Sequence, residues 1–243
     1  MESLKKIGVK ISSWIGPRRL ISIYKKFLSG SPLFSIPIKK EQKFCCLTID
    51  DGPGDSIEYN YKLLSLLEKH KIKATFFIIS TNVTKCEENK QFMKDLIKSG
   101  HQIGNHMNRD QKSTGLSEKE FEKELLECEE LLDFYDFGFK QKMIKCFRPP
   151  SGAYNQTMMR VLEKHNYMNI LGDVYSCDAN ITDPQFHSSF IKKNSQNGSI
   201  IILHFPEKER RVQTLDILEN VIPYLKDEGF TFLTIEEALS LNN

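Results

Sequence analysis

The chain has 243 residues, a net charge of +2, 40% hydrophobic and 27% charged residues. That is the make-up of an ordinary folded protein with a sizeable core, and it excludes a disordered or fibrous chain. So slight a net charge says little about partners, and no nucleic-acid partner is expected. The six cysteines form no CxxC pair and no regular framework, so free thiols are expected and neither a zinc ribbon nor a disulfide scaffold.

In chain order, the first segment is basic. Ile7, Ile11, Trp14 and Ile15, then Leu20, Ile21, Tyr24, Phe27 and Leu28, recur at helical spacing among lysines and arginines. Two readings stay open for residues 4–28: helices packed on the outside of the domain, or a broken amphipathic helix making peripheral contact with an anionic membrane. No apolar run has the length of a secretory signal or a membrane span, so a cytoplasmic location, with or without membrane association, is expected. Residues 1–40 are expected to form a basic N-terminal segment, and residues 41–243 one domain.

From residue 44 onward, short β-rich runs alternate with amphipathic helical patterns. The strands are expected at 44–49, 74–79, 101–106, 144–148, 168–174, 199–205 and 230–235. Helices are expected at 57–70, 89–100, 117–135, 156–165, 185–193 and 212–227, and Ser117 with Glu120 has the spacing of a capping box. Such alternation implies an α/β fold with a mainly parallel sheet, and about seven strands suit a barrel.

In a parallel barrel the loops after the strands open on one face, which is where chemistry gathers. The polar residues here follow that rule. Asp50 and Asp51 end the first strand, His106 and Asp110 follow the third, Arg148 the fourth, Asp173 and Asp178 the fifth, and His204 the sixth. Adjacent carboxylates are comfortable as anions only with a positive group nearby, whether a metal ion or Arg148. If one carboxylate and His106 held a cation, the other carboxylate would be free to take a proton from water. Asp110, four residues after His106, is either a further ligand or part of a polar surface turn.

Five stretches, "LTIDDGP" (47–53), "GNHMNRD" (104–110), "FRPPSGAY" (147–154), "DVYSCDA" (173–179) and "IIILHF" (200–205), resemble in this order the motifs of the polysaccharide deacetylase family, the NodB-like carbohydrate esterases. The resemblance implies a distorted (β/α) barrel and a metal-dependent N-deacetylase acting on N-acetylglucosamine-containing glycans: a chitin-like polymer, an oligosaccharide or a glycolipid. It implies Asp50 as general base, Arg148 as its partner, and His204 as general acid oriented by Asp178. Asp51, His106 and Asp110 would hold a divalent metal, zinc first, with manganese or cobalt as alternatives. The Ser151 backbone N–H would bind the oxyanion, and Tyr154 and Ile202 would contact substrate. Two positions depart from the family pattern: Asp110 stands where a second histidine is usual, and Ala179 where a tryptophan is usual. They keep open the alternative of a catalytically inactive glycan-binding protein on the same fold.

Overall fold

The computed structural model describes residues 5–6, 9–10, 16–24, 31–39, 42–136, 138–207 and 212–241. A helix α1 (Pro17–Tyr24) precedes the repeating part of the chain. There follow β1 (Phe44–Gly52), α2 (Ile57–Lys69), β2 (Thr75–Ile78), α3 (Ser80–Thr84), α4 (Glu87–Lys98) and β3 (Gln102–Asn105). Next come α5 (Glu118–Tyr135), β4 (Lys145–Phe147), α6 (Gln156–Lys164), β5 (Tyr167–Asn169) and β6 (Val174–Tyr175). The chain ends with α7 (Pro184–Asn194), β7 (Ser199–His204), α8 (Gln213–Asp227), β8 (Thr231–Phe232) and α9 (Ile235–Ser240). Ser117 and Glu120 do form a reciprocal capping box at the start of α5.

The strands run in the order β5-β4-β3-β2-β1-β7-β6, with β8 beside the start of β1, and every pairing is parallel. The fold is thus the distorted (β/α) barrel that the alternation of patterns implies. β1 is central and buried along its whole length, which explains why "FCCLTI" shows no polar alternation.

The two faces of the sheet carry separate cores. Cys45, Leu47 and Ile49 pack outward with the helices, against side chains such as Phe76, Phe92 and Leu203. Phe44 and Cys46 point inward and meet Phe77, Cys146, Ile170 and Ile200, with Ile235 and Ala238 of α9 closing that end. Because side chains alternate along a strand, the inward face of β1 continues through Thr48 to Asp50, that of β7 through Ile202 to His204, and that of β4 from Cys146 to Arg148. Apolar groups fill the N-terminal end of the barrel, and ionisable groups stand at its C-terminal mouth.

Two of the expected elements are corrected. The run 168–174 is not one strand: β5 and β6 lie at opposite ends of the sheet order, and the chain between them crosses the seam. There the N–H of Ile170 still donates to Phe147 of β4 at 2.7 Å, whereas that of Asp173 donates to Ile200 of β7 at 3.2 Å. Residues 230–235 form only the two-residue β8 before turning into α9, whose capping box at Thr234 and Glu237 competes with strand extension. The helix α3 had no counterpart in the sequence pattern.

The described part of the N-terminal segment lies on the seam. The Leu33 N–H donates to Asn169 at 2.7 Å, the Leu171 N–H donates to Leu33 at 2.8 Å, and the Ile36 N–H donates to Gly198 at 2.8 Å. Arg18 of α1 meets the buried Asp173 at 2.5 Å and also donates to Asn197 and Ser199. Ile7, Ile11, Trp14, Ile15, Phe27 and Leu28 of the expected amphipathic pattern, and the expected boundary at residues 40 and 41, lie outside the described residues. Among the described residues no helix is long and apolar enough to cross a membrane.

Gly172 makes the crossing passable. Its φ is +82°, and a Cβ there would lie 2.8 Å from the Ile202 side chain and 3.0 Å from the Ile200 carbonyl. Gly172→Ala therefore combines left-handed strain with overpacking and should cost roughly 2–4 kcal/mol, read as a lower urea midpoint at unchanged m-value. A variant as stable as the parent would mean that the seam yields.

Candidate active site

A cavity of about 400 Å³ opens at the C-terminal mouth of the barrel, and Asp50, Asp51, His106, Asp110, Arg148, Ser151, Ile202 and His204 line it, with Ala179 at its side. Each strand end delivers its residue by the alternation above, and then the backbone bends. Asp51, Met107, Ser151 and Cys177 have φ of 67°, 65°, 63° and 62°, a left-handed conformation that non-glycine residues adopt at a cost. All four sit at or just past the C-terminal ends of strands, and Asp51 and Ser151 line the cavity. At Asp51 the bend coincides with a register shift between Ile49 and Gly52 against β2. On a regular strand Asp50 and Asp51 would face opposite ways; the bend turns both towards one cavity while leaving them different partners.

Asp50 is paired with Arg148. The guanidinium Nη1 lies 2.5 Å from the carboxylate and 2.7 Å from the Thr48 hydroxyl, and Nε donates to the Ile170 carbonyl at 2.9 Å. The Thr48 hydroxyl in turn donates to Ile201 at 2.7 Å. The guanidinium also lies over the Phe77 ring, 4.2 Å from its centroid. Burial pulls the Arg148 pKa down, and the Asp50 charge opposes that pull. Its Nη2 is buried without a protein partner, leaving a donor for water or substrate.

His204 faces Asp50 across the β1–β7 pairing, where the two are register partners. Its Nδ1 is 2.9 Å from Asp178, which also accepts from the His204 backbone N–H at 2.9 Å. Burial lowers the His204 pKa, but the charge and hydrogen bond of Asp178, helped by Asp50 and Asp51, outweigh it and raise the value to about 9. Burial pushes the Asp178 carboxyl up, and His204 overrides this so that it stays below the usual carboxylate range. His204 therefore carries a proton at neutral pH.

The His106 Nε2 lies 3.3 Å from Asp51, and its Nδ1 lies 2.7 Å from the Arg148 carbonyl. That carbonyl only accepts, so Nδ1 carries a hydrogen and Nε2 is the nitrogen turned towards Asp51, the end by which a cation would be held. Burial lowers the His106 pKa, and the Asp51 hydrogen bond with the Asp50 and Asp51 charges outweighs it, so the net shift is upward. Asp110 is exposed on the turn after β3 and borders both this cavity and a neighbouring groove beside Asp55 and Glu207. Among the described residues no group of three His, Cys, Asp or Glu side chains is arranged to hold a metal ion. The structure thus brings Asp51 and His106 together, and Asp110 borders the same cavity without completing a three-donor cluster with them. The donors present fit a two-point hold on a cation and not a closed three-ligand centre.

Other expected residues fall elsewhere. Asp173 is not at the mouth: it is held at the opposite end of β6 by Arg18, the Ser199 hydroxyl and the Ile200 N–H. Tyr154 packs against the outer core rather than lining the cavity, and its hydroxyl is buried without a protein partner. Ser151 does line the cavity, and Ile202 sits on its wall, 8% exposed. His101 and His187 are structural, the first accepting from the Ala74 N–H and the second placed between Ser176 and Ile181. Thr48 and Phe34 were missed. Thr48 was within reach, because it lies two residues before Asp50 on the same strand face. No sequence signal marks Phe34, which the seam brings to the cavity from the N-terminal segment.

Fold and site together define an α/β barrel enzyme class with paired acid–base groups at its mouth. The family model described as polysaccharide deacetylase matches residues 38–170, and the chain belongs to the polysaccharide deacetylase family. By family it is a carbohydrate deacetylase, hydrolysing C–N amide bonds, with Asp110 and Ala179 as its departures from the usual motifs. A peptidoglycan-N-acetylglucosamine deacetylase from Bacillus cereus is 28% identical over 219 residues, covering 89% of this chain and 98% of that protein. Among solved structures, a variant with restored enzymatic activity of a CE4 family pseudoenzyme from Bacillus anthracis is 26% identical, with a TM-score of 0.73 over 88% of this chain and 73% of the other. A family 4 acetyl xylan esterase from Clostridium thermocellum, in complex with a cobalt ion, is 26% identical, with a TM-score of 0.71 over 82% of this chain and 91% of the other.

The His204 pair makes a pH prediction. A folded pKa of about 9 stands above the roughly 6.5 of an unfolded histidine. Its stabilisation is therefore complete below about pH 6.5 and lost as pH rises through about 9, on the order of 3 kcal/mol in all. His204→Gln should destabilise the protein more at pH 6 than at pH 10, and the ring carbon of His204 should titrate near 9 by NMR. A titration near 6.5 would mean that Asp178 does not hold the proton.

Proposed function

We propose that the protein is an N-deacetylase that removes acetyl from N-acetylglucosamine-containing glycans. The observation that carries the reading is the opposition of two pairs, Asp50 with Arg148 and His204 with Asp178, across one cavity. The carboxylate of Asp50, kept anionic by the guanidinium, takes a proton from water as its oxygen attacks the amide carbon. The Ser151 N–H donates to the oxygen that becomes negative. His204 gives its proton to the departing nitrogen as the C–N bond breaks, releasing acetate and the free amine. Asp178 holds the imidazolium at the angle this transfer needs.

Asp51 and His106 would hold a divalent cation, with zinc the first expectation and manganese or cobalt as alternatives. A bound cation would polarise the acyl oxygen and acidify water. The cobalt-bound relative supports this part of the reading, and the exposed position of Asp110 weighs against a full three-ligand centre. The B. cereus relative adds peptidoglycan to the chitin-like polymer, oligosaccharide or glycolipid that the sequence suggests. The exposure of Asp110 also favours a second reading, a catalytically inactive glycan-binding protein on the same fold.

Two measurements separate the readings. Amine release from chitin oligomers or peptidoglycan fragments should fall at least a hundredfold in Asp50→Asn with the fold intact by circular dichroism; release that survives this change would sink the deacetylase reading. Elemental analysis of purified Asp110→His should show tighter-held metal than the parent, because a histidine reaches further into the cavity and replaces an anion with a neutral donor. Turnover absent in the parent and present in Asp110→His would assign the parent to the inactive reading.

A further inference from the structure

The cavity is lined by two kinds of side chain: Asp50, Asp51, His106, Asp110, Arg148 and His204 are ionisable, and Phe34, Leu171 and Ile202 are apolar. The apolar three are gathered at the seam, where the Ile202 side chain lies over Gly172, next to Leu171, and the Leu171 N–H donates to Leu33, next to Phe34. Ile202 and His204 are two residues apart on β7 and share a face, about 7 Å apart along the strand. An acyl group held between Asp50 and His204 therefore has Ile202 as the next side chain down the same face of β7.

Phe34 is fixed at that seam. The Leu33 backbone before it exchanges hydrogen bonds with Asn169 and Leu171, and the Ile36 N–H after it is held by Gly198. These bonds lock the strap on both sides of the ring. The whole cavity, its ionisable lining included, has a volume of about 400 Å³, that of a site for a small ligand. A sugar ring is a poor occupant of the space beside Phe34, Leu171 and Ile202, because its hydroxyls would find no partner among those three side chains. The half-exposed Tyr175 at the rim, its ring 5.9 Å from that of His204, offers a ring the stacking face it needs.

We propose that Phe34, with Leu171 and Ile202, seats an N-acyl chain longer than acetyl, which makes Phe34 a specificity-determining residue contributed from outside the repeating barrel. The proposal rests on the reading of the site as an N-deacylase. It names the acyl group that this site prefers.

The test uses the full chain and glucosamine oligomers carrying N-acetyl, N-propionyl or N-butyryl groups, with release of free amine as the readout. Each added methylene should raise kcat/KM by roughly fourfold, the ordinary worth of burying a CH₂. Phe34→Ala should flatten the rise, and Phe34→Leu, which keeps an apolar side chain in the strap, should retain part of it. A merely structural Phe34 would lower all three substrates alike and leave the butyryl-to-acetyl ratio unchanged, which would overturn its role. A flat or falling series in the parent would overturn the proposal itself. If no member of the series is cleaved, the deacetylase reading fails separately, and calorimetric affinities of the parent for the same three compounds then decide: affinity rising with chain length supports the seat, and affinity independent of length overturns it.

Discussion

The structure turns on one buried ion pair. Arg148 leaves β4 and crosses the barrel interior to Asp50 on β1, so strands that are not neighbours in the sheet are joined through a guanidinium. Burying both charges is expensive, and the pair is tolerated only because its remaining valences are met. Thr48, the Ile170 carbonyl and the Phe77 ring supply most of that. The same contacts fix the direction of the Asp50 carboxylate, as proton abstraction requires. The apolar plug of Cys46, Phe77, Cys146 and Ile200 beneath the pair keeps water out of that end of the barrel, so the ion pair also marks the floor of the chemistry.

Around this pair the chain accepts local strain. Asp51, Met107, Ser151 and Cys177 each adopt a left-handed conformation where β1, β3, β4 and β6 give way to loops. Such residues persist only where the surroundings over-determine them. At Met107 the determinant is visible: its N–H donates to the Asn105 side chain at 2.9 Å, and Asn105 is held by Leu125 and the Tyr167 hydroxyl. A buried pair, Lys145 with Glu129, stands close by on the same strands and helix. The polar interior behind β3 and β4 thus aims His106, just as Thr48 aims Arg148.

Asp51 and His106 show how far the site departs from a closed metal centre. The Asp51 carboxylate and the His106 Nε2 face each other at 3.3 Å, while the third expected donor lies on an exposed turn. An aspartate is shorter than a histidine that coordinates through its outer nitrogen, and it adds negative charge beside Asp50 and Asp51. The paired acid and base, Asp50 with Arg148 and His204 with Asp178, keep their partners.

Much of this was legible in the sequence. The alternation of strand and helix patterns determined the parallel α/β barrel, because burial on both faces and period-2 against period-3.6 spacing are local properties. The placement of Asp50, Asp51, His106, Arg148, Asp178 and His204 after strands determined which of them could meet, since parallel strands deliver their ends to one face. The sequence also contained the reason to doubt Asp110. Tertiary structure alone decided the rest. It split 168–174 into strands at opposite edges, since pairing partners are not encoded in the run itself. It sent Asp173 to Arg18 and Tyr154 to the core, and brought Phe34 from the N-terminal segment into the cavity. Each of these depends on how the barrel closes at its seam, and closure joins residues far apart in the chain, for which no local pattern exists.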